Sequence, residues 1–329
     1  MDERREAGLS GRTGGLSRRS FLGGSGALVA AGVAASFSSD AIAQVTSVDP
    51  YVRRLGFAFP GTPEVGTLLG ARGGGIRLDP VATGGLAIAP EPVAITFTNQ
   101  MTRPFFEWFF NAARPAANVP GTNVQIVATN SDNQEIYRLT LGRARIAQVA
   151  WPRLAAGSAE ALRFGATLVP ESASYGYSGG STTSKPATAV ARLLTSNNFR
   201  LAIQGLEAES ARVTRIDAFT RRLMPLPGAD SAVVSSDALR LEIPSLAAPA
   251  FFKWQAQLLA GQGAERSGWL QYLSPDLKVV VAQAFLSGIS VQAIDVAPSS
   301  AADGATVVAG STLVSLNVRA VEFDQSSFR

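Results

Sequence analysis

The groups in this chain that could do acid/base chemistry are three carboxylates near the end of one predicted strand. Glu207 and Glu209 follow a strand that ends at Leu206, and Asp217 lies a short way further along the chain. Two neighbouring carboxylates can act as the acid and base of a hydrolase. Both glutamates fall on a predicted turn, where a solvated surface role is far commoner, so the sequence does not favour catalysis here.

A serine motif is the second candidate. Gly176-Tyr177-Ser178-Gly179-Gly180 matches the G-x-S-x-G pattern of a nucleophile elbow. Such a serine needs a base to take its proton, and the chain has no histidine with which to build the usual triad. The motif also lacks a strong strand before it and a helix after it. We therefore interpret it as part of a flexible linker and predict that the protein is not an enzyme.

The composition excludes several other kinds of site. The chain has no cysteine and no histidine, which removes thiolate nucleophiles, iron–sulfur and zinc–cysteine sites, and the commonest metal ligand. The sequence thus indicates no cofactor and no metal. Its formal charge of +4 comes from scattered arginines without a basic stripe, so nucleic acid is not expected as a specific ligand.

Residues 1–43 are typical of a twin-arginine signal peptide. A twin-arginine motif precedes a weakly hydrophobic run, and small residues follow at the two positions that a signal peptidase reads. The motif residues are Arg18, Arg19, Phe21 and Leu22, and the cleavage residues are Ala41 and Ala43. A disordered basic N-terminus and an uncleaved anchor are the alternatives. We expect a periplasmic or secreted protein, exported folded, with no stable membrane span after cleavage.

An aromatic segment occurs twice, which indicates a duplicated unit. Pro104–Trp108 recurs 146 residues later as Ala250–Trp254, and a run of alternating apolar residues recurs at the same offset. Each segment is predicted to form a helix. The first has too many aromatic residues to be fully solvated, so it must cover a sheet or contact another subunit. The candidate assembly residues are Phe105, Phe106, Glu107, Trp108, Phe251, Phe252, Lys253 and Trp254.

The surrounding pattern predicts two units of the same kind. After the signal, residues 44–174 form the first unit, 175–196 a linker rich in glycine and serine, and 197–329 the second unit. Each unit reads as strands, one helix, then strands. The predicted fold class is therefore mainly β, a tandem duplication of an antiparallel barrel or sandwich with one helix per unit.

The order of these elements resembles the tail tube proteins of contractile phages. The similarity lies in the strands Phe199–Leu206, Val213–Phe219 and Leu239–Ile243, the helix around Trp254 and the hairpin turn Ser274–Asp276. In the first unit, Asp49–Tyr51 looks like the opening of that family, and Val149–Pro152 is similar to its aromatic-proline step. The resemblance implies a small barrel or sandwich akin to the Hcp-like tube proteins of type VI secretion, which assemble six to a ring and have no active site.

Applied to two tandem copies, the resemblance implies a homo-oligomer in which three chains form a ring of six quasi-equivalent domains. Glu107 and Lys253 would then present opposite charges at equivalent positions of the two helices. The alternative function is a periplasmic two-domain module that binds a ligand or partner in the cleft between its units.

Overall fold

The computed structural model describes residues 52–80, 86–112, 121–177, 182–183, 193–225, 232–295 and 310–324. All of them belong to one compact unit, Ser38–Arg329. The predicted signal residues Arg18, Arg19, Phe21, Leu22, Ala41 and Ala43 lie outside the described residues. No helix in the described part of the chain is both long and apolar enough to span a bilayer.

The described residues of the first half form eleven strands and one helix. The strands are β1 (Arg54–Ala58), β2 (Glu64–Leu68), β3 (Gly70–Gly73), β4 (Ile76–Pro80), β5 (Leu86–Pro90), β6 (Val93–Phe97), β7 (Thr122–Thr129), β8 (Glu135–Trp151), β9 (Leu154–Ala155), β10 (Phe164–Val169) and β11 (Ser172–Tyr177). The helix is α1 (Arg103–Ala112), between β6 and β7. β11 continues three residues into the segment that the sequence assigned to the linker.

In the second half, the described residues form eight strands, the expected long helix and two short helical turns. The strands are β12 (Phe199–Ile203), β13 (Arg215–Ile216), β14 (Phe219–Pro225), β15 (Ala232–Ser236), β16 (Leu239–Pro244), β17 (Arg266–Leu273), β18 (Val280–Asp295) and β19 (Ser311–Phe323). The helices are α2 (Glu207–Ser210), a 3-10 turn (Ser245–Ala247) and α3 (Ala248–Leu259). Gly261 follows α3 with a φ of 69°, the left-handed conformation that a helix C-terminus favours.

The sheets are antiparallel throughout the described residues. One runs β2-β1-β7-β8-β10-β6-β3, with β11 and β14–β15 added along β8, and the other runs β12-β17-β18-β19-β16-β13-β9. The hairpin β4–β5 forms a separate two-stranded sheet. These strand orders are open paths, which fits a sandwich better than a closed barrel. The predicted fold class, mainly β with antiparallel sheets, is confirmed.

The two halves have the same strand order. The path β1-β7-β8-β10-β6-β3 in the first half matches β12-β17-β18-β19-β16-β13 in the second, and α1 and α3 occupy the same place in that order. The long strands β8 and β18 also each contain a β-bulge. The bulge in β8 lies next to Gln148, where β8 pairs with β10, and the bulge in β18 lies next to Ala293, where β18 pairs with β19. The bulges align Gln148 with Ala293 and therefore Val149 with Ile294. The two halves therefore share one topology, while their origin by tandem duplication stays a prediction.

The helices cover the sheets with their aromatic faces. In α1, Phe105 packs edge-on against Phe57 and Phe97, with ring centroids 5.1 Å and 4.8 Å apart. In α3, Phe251 and Trp254 are fully buried in the same continuous core, which includes residues of both halves. Burying large apolar side chains is the main favourable term in folding, so these helices hold each sheet in place.

Candidate assembly interface

The two halves are joined by strand pairing. In the second half, β14 pairs antiparallel with the end of β8 in the first half, with Phe219 opposite Trp151 and Arg222 opposite Gln148. We call β14–β15 the donor hairpin and Gln148–Trp151 the acceptor edge. The donor hairpin thus extends the sheet of the first half by two strands. Strand addition of this kind supplies main-chain hydrogen bonds, and side chains on alternate positions give it specificity.

A stack of aromatic rings packs between the two halves where β14 meets β8. Trp151 of the acceptor edge lies parallel to Phe219 of the donor hairpin, with centroids 4.8 Å apart, and parallel to Phe323 at 5.9 Å. Phe323, in the last strand of the second half, in turn stacks on Phe110 of α1 at 4.3 Å. Each such pair contributes roughly 0.5–1.5 kcal/mol beyond the area it buries. The contact therefore joins the second half both to the sheet and to the helix of the first half.

Arg221 is buried beside this stack. Its Nη1 donates to the carbonyl oxygen of Val321 at 3.1 Å, while Nε and Nη2 have no hydrogen-bond partner among the described residues. Burial lowers the pKa of the Arg221 guanidinium because the charged form loses hydration, and the negative charge of Glu322 raises it in part. A buried cation with two unpaired nitrogens weakens the fold, so the packing of its stem must offset that cost.

We expect Arg221→Met to leave the free energy of unfolding unchanged within about 1 kcal/mol, or to raise it, because methionine keeps the apolar stem and removes the desolvated charge. Arg221→Ala is the matched control, and we expect it to lower that free energy by about 2–5 kcal/mol through the cavity it leaves. Urea unfolding measures both. If methionine were as harmful as alanine, the guanidinium itself would be stabilising.

A second crossing pairs β9 of the first half with β13 of the second, with Ala155 opposite Arg215. Here Arg215 is buried between two counter-ions: Nη1 lies 2.8 Å from Glu242, which is buried, and Nε lies 3.0 Å from Asp217, which is half-buried. Ser311 Oγ also donates to the Glu242 carboxylate, at 2.9 Å. The carboxylates that surround Arg215 therefore belong to a structural ion pair.

The predicted assembly helices divide into buried and exposed residues. Phe105, Phe106, Phe251 and Trp254 are buried, Glu107 and Trp108 are half-buried, and Phe252 and Lys253 are exposed. Trp254 Nε1 donates to the carbonyl oxygen of Ala264 at 3.2 Å, and the Arg266 guanidinium lies 4.8 Å from the Trp254 ring. Glu107 is paired with Arg103 on its own helix at 2.7 Å. An assembly role for the exposed residues stays a prediction.

Two of the carboxylates considered for catalysis have structural partners: Glu207 interacts with the backbone of Gly205, and Asp217 with Arg215. Glu207 accepts a hydrogen bond from the backbone N–H of Gly205 at 2.8 Å, and this bond lowers the pKa of the Glu207 carboxyl. Glu209 lies with it on the short helix α2, and Asp217 faces Arg215. Of the G-x-S-x-G segment, Ser178 lies outside the described residues. Across the described ranges no group of three metal-ligating carboxylates occurs.

The donor hairpin was not predicted as a contact element, although the sequence contains a signal for it. Arg222-Leu223-Met224-Pro225 in β14 has a counterpart in Arg77-Leu78-Asp79-Pro80 of β4. The offset here is 145 residues, one fewer than for the helices, so a search at the single offset of 146 passes over it. The pairing of β14 with β8 depends on the tertiary structure and leaves no mark in local periodicity.

Comparison with known proteins gives weak structural matches and no sequence family. No family model matches the chain, and no curated protein matches its sequence. The tube-terminating cap of the anti-feeding prophage is 17% identical, with a TM-score of 0.30 over 40% of this chain and 92% of that chain. A chain of the sheath–tube complex of an extracellular contractile injection system (PVC), in its extended state, is 15% identical, with a TM-score of 0.29 over 44% of this chain and all of that chain. TM-scores this low do not assign the chain to either family.

Proposed function

We propose that this protein is an exported, non-enzymatic structural protein that assembles into rings of three chains, each chain supplying two quasi-equivalent β units. The observation that carries the proposal is the pairing of β14 with β8. It joins two units of the same strand order through unlike surfaces, a donor hairpin and an acceptor edge. Contacts between unlike surfaces are head-to-tail, and they generate a closed ring when the rotation between units allows it.

The ring of three chains follows from counting units. Six units per ring is the number that the resemblance to tail tube proteins implies, and each chain supplies two. Export rests on the twin-arginine motif around Arg18 and Arg19 and the small residues Ala41 and Ala43. The absence of histidine and cysteine from the sequence, together with the ion-paired and backbone-bound carboxylates, supports a role without catalysis.

We expect the exported protein to purify as a particle of three chains, or as stacks of such particles. The full chain is expressed with its N-terminal segment, the exported fraction is collected, and its mass is measured by light scattering across a range of concentrations. Negative-stain electron microscopy should show rings with six lobes. A monomer at every concentration would contradict the proposal and would favour the alternative, a two-unit module that binds a ligand or partner.

A further inference from the structure

The first half contains a second copy of the donor hairpin. In β4–β5, Ile76 lies opposite Pro90 and Pro80 opposite Leu86, and β14–β15 has the same five-pair register, from Arg221 opposite Ser236 to Pro225 opposite Ala232. Both hairpins connect the same two neighbours in the shared strand order, β3 to β6 and β13 to β16. We call β4–β5 the free hairpin, because in the described residues its two strands pair only with each other.

The free hairpin exposes the positions that the donor hairpin buries. Leu78 is 55% exposed, whereas its counterpart Leu223 is 6% exposed. Ile76 is 42% exposed, whereas its counterpart Arg221 is 1% exposed. An isolated two-stranded hairpin is marginally stable in water, and apolar side chains projecting from one indicate a missing neighbour.

The second half contains a second copy of the acceptor edge. On one side β18 pairs with β19 from Ala284 to Asp295, but on the other side its pairing with β17 ends at Ile289. Ser290–Asp295, which we call the free edge, has no described strand on that side. The bulge alignment places Ala293 and Ile294 at the positions of Gln148 and Val149. An unpaired strand edge is a template for pairing with another chain.

We infer that the free hairpin of one chain pairs with the free edge of another copy of the same chain, in the register that β14 and β8 show within the chain. The inference rests on the proposed function and names the contact by which its rings would close. A second copy is the occupant that fits, because the partner surface each element requires is already present in the chain. In the described part of the chain the free hairpin and the free edge each occur once, so each can be used once in a head-to-tail contact.

The internal contact also fixes the register of the proposed one. Arg221 lies opposite Val149, so Ile76 of one copy should lie opposite Ile294 of the next. Arg77 should likewise lie opposite Ala293. The pair Ile76 and Ile294 would bury two branched apolar side chains against each other, which is a favourable cross-strand pair.

The contact of the donor hairpin with the first half is accompanied by a contact with helix α1, and the proposed contact has an equivalent at helix α3. Phe323 pairs with Ala284 in β18, and Tyr175 pairs with Leu139, the equivalent position of β8. Phe323 packs against α1 of the first half, while its counterpart Tyr175 is 43% exposed. In the proposed contact Tyr175 would face α3 of the next copy, where Phe252 is exposed.

Disulfide trapping tests the register directly, because the chain has no cysteine of its own. The double variant Ile76→Cys/Ile294→Cys should form intermolecular disulfides under mild oxidation, since facing residues in antiparallel strands lie within disulfide range. Each chain then carries one donor and one acceptor cysteine, so the ladder on a non-reducing gel should end at a closed ring, which the proposed function sets at three chains. The control Ile76→Cys/Ser290→Cys displaces one cysteine by about 13 Å along the strand and should cross-link far less.

Leu78→Asp provides a test without cross-linking. Because Leu78 is exposed in the isolated chain, the variant should fold normally, and circular dichroism checks this. The protein concentration at which half of the assemblies dissociate should rise at least about tenfold, because the contact loses a buried apolar side chain. Leu277→Asp, at a turn residue of equal exposure, is the control and should assemble like the wild type. If the wild type assembles while neither Leu78→Asp nor the cysteine pair responds, the inference fails and the ring proposal stands. A wild-type chain that stays monomeric overturns both.

Discussion

Glu242→Ala is expected to lower the free energy of unfolding by about 3 kcal/mol, at the lower end of the range for breaking a buried ion pair. The substitution leaves the buried Arg215 guanidinium without its closest carboxylate, which lies 2.8 Å away. Asp217 remains 3.0 Å from Nε and limits the loss. Ser311 also loses the hydrogen bond that its hydroxyl donates to Glu242. Equilibrium unfolding in urea, at one fixed protein concentration, measures the change.

The matched control is Glu265→Ala. Glu265 also forms an ion pair with an arginine, Arg319 at 2.6 Å, but both side chains are largely exposed. Exposed pairs contribute at most about 1 kcal/mol, so the control should be close to neutral. Equal effects of the two substitutions would contradict the assignment of Glu242 to a desolvated pair.

The double variant Arg215→Met/Glu242→Leu measures the net contribution of the ion pair to the free energy of unfolding. The single variant Glu242→Ala instead includes the cost of leaving the buried Arg215 charge without its closest carboxylate. Replacing both ions by apolar side chains of similar size removes the buried, uncompensated charge. Asp217 loses Arg215 as its partner, but its side chain is 27% exposed and stays hydrated, so stability should return to near that of the wild type. The first half suggests that the fold tolerates this change. There the equivalent facing positions are Gly70 and Thr96, and the same sheet forms without an ion pair.

Much of each unit was predictable from the sequence because local signals carry it. Alternating apolar residues mark β6 and β16, and the repeated aromatic segment marks α1 and α3. Gly261 marks the end of the second long helix. Such signals depend on neighbouring residues, and the structure confirms them.

The contact between the halves was not predictable in the same way. It requires that the end of β8 extend beyond β7, so that β14 can pair with it. It also involves a hairpin whose counterpart in the first half, β4–β5, has no partner strand in the described residues. Nothing in the local pattern of Leu78 or Leu223 distinguishes an exposed leucine from a buried one. The buried Arg221 is a further example, since an arginine in a strand normally indicates a solvated face.

The largest expected difference between equivalent positions concerns the two helices. Phe106→Ala is expected to lower the free energy of unfolding by about 3–5 kcal/mol, because Phe106 is 5% exposed and stacks on Phe110 at 5.6 Å. Phe252→Ala, the same substitution at the equivalent position of α3, should cost less than about 1 kcal/mol, because Phe252 is 37% exposed. Urea unfolding at low protein concentration measures both.

Phe106→Ala and Phe252→Ala also test whether the aromatic side chains of α1 and α3 contribute to assembly or only to the stability of the chain. If a second copy covers α3 as the second half covers α1, Phe252→Ala should weaken assembly in light scattering while leaving the monomer stable. Phe106→Ala should act in the opposite way, through the stability of each chain. If Phe252→Ala changed neither property, the exposed aromatic of α3 would have no role in assembly. A loss of assembly confined to Phe252 would instead show that equivalent positions of the two halves have different roles, one buried within the chain and the other buried between chains.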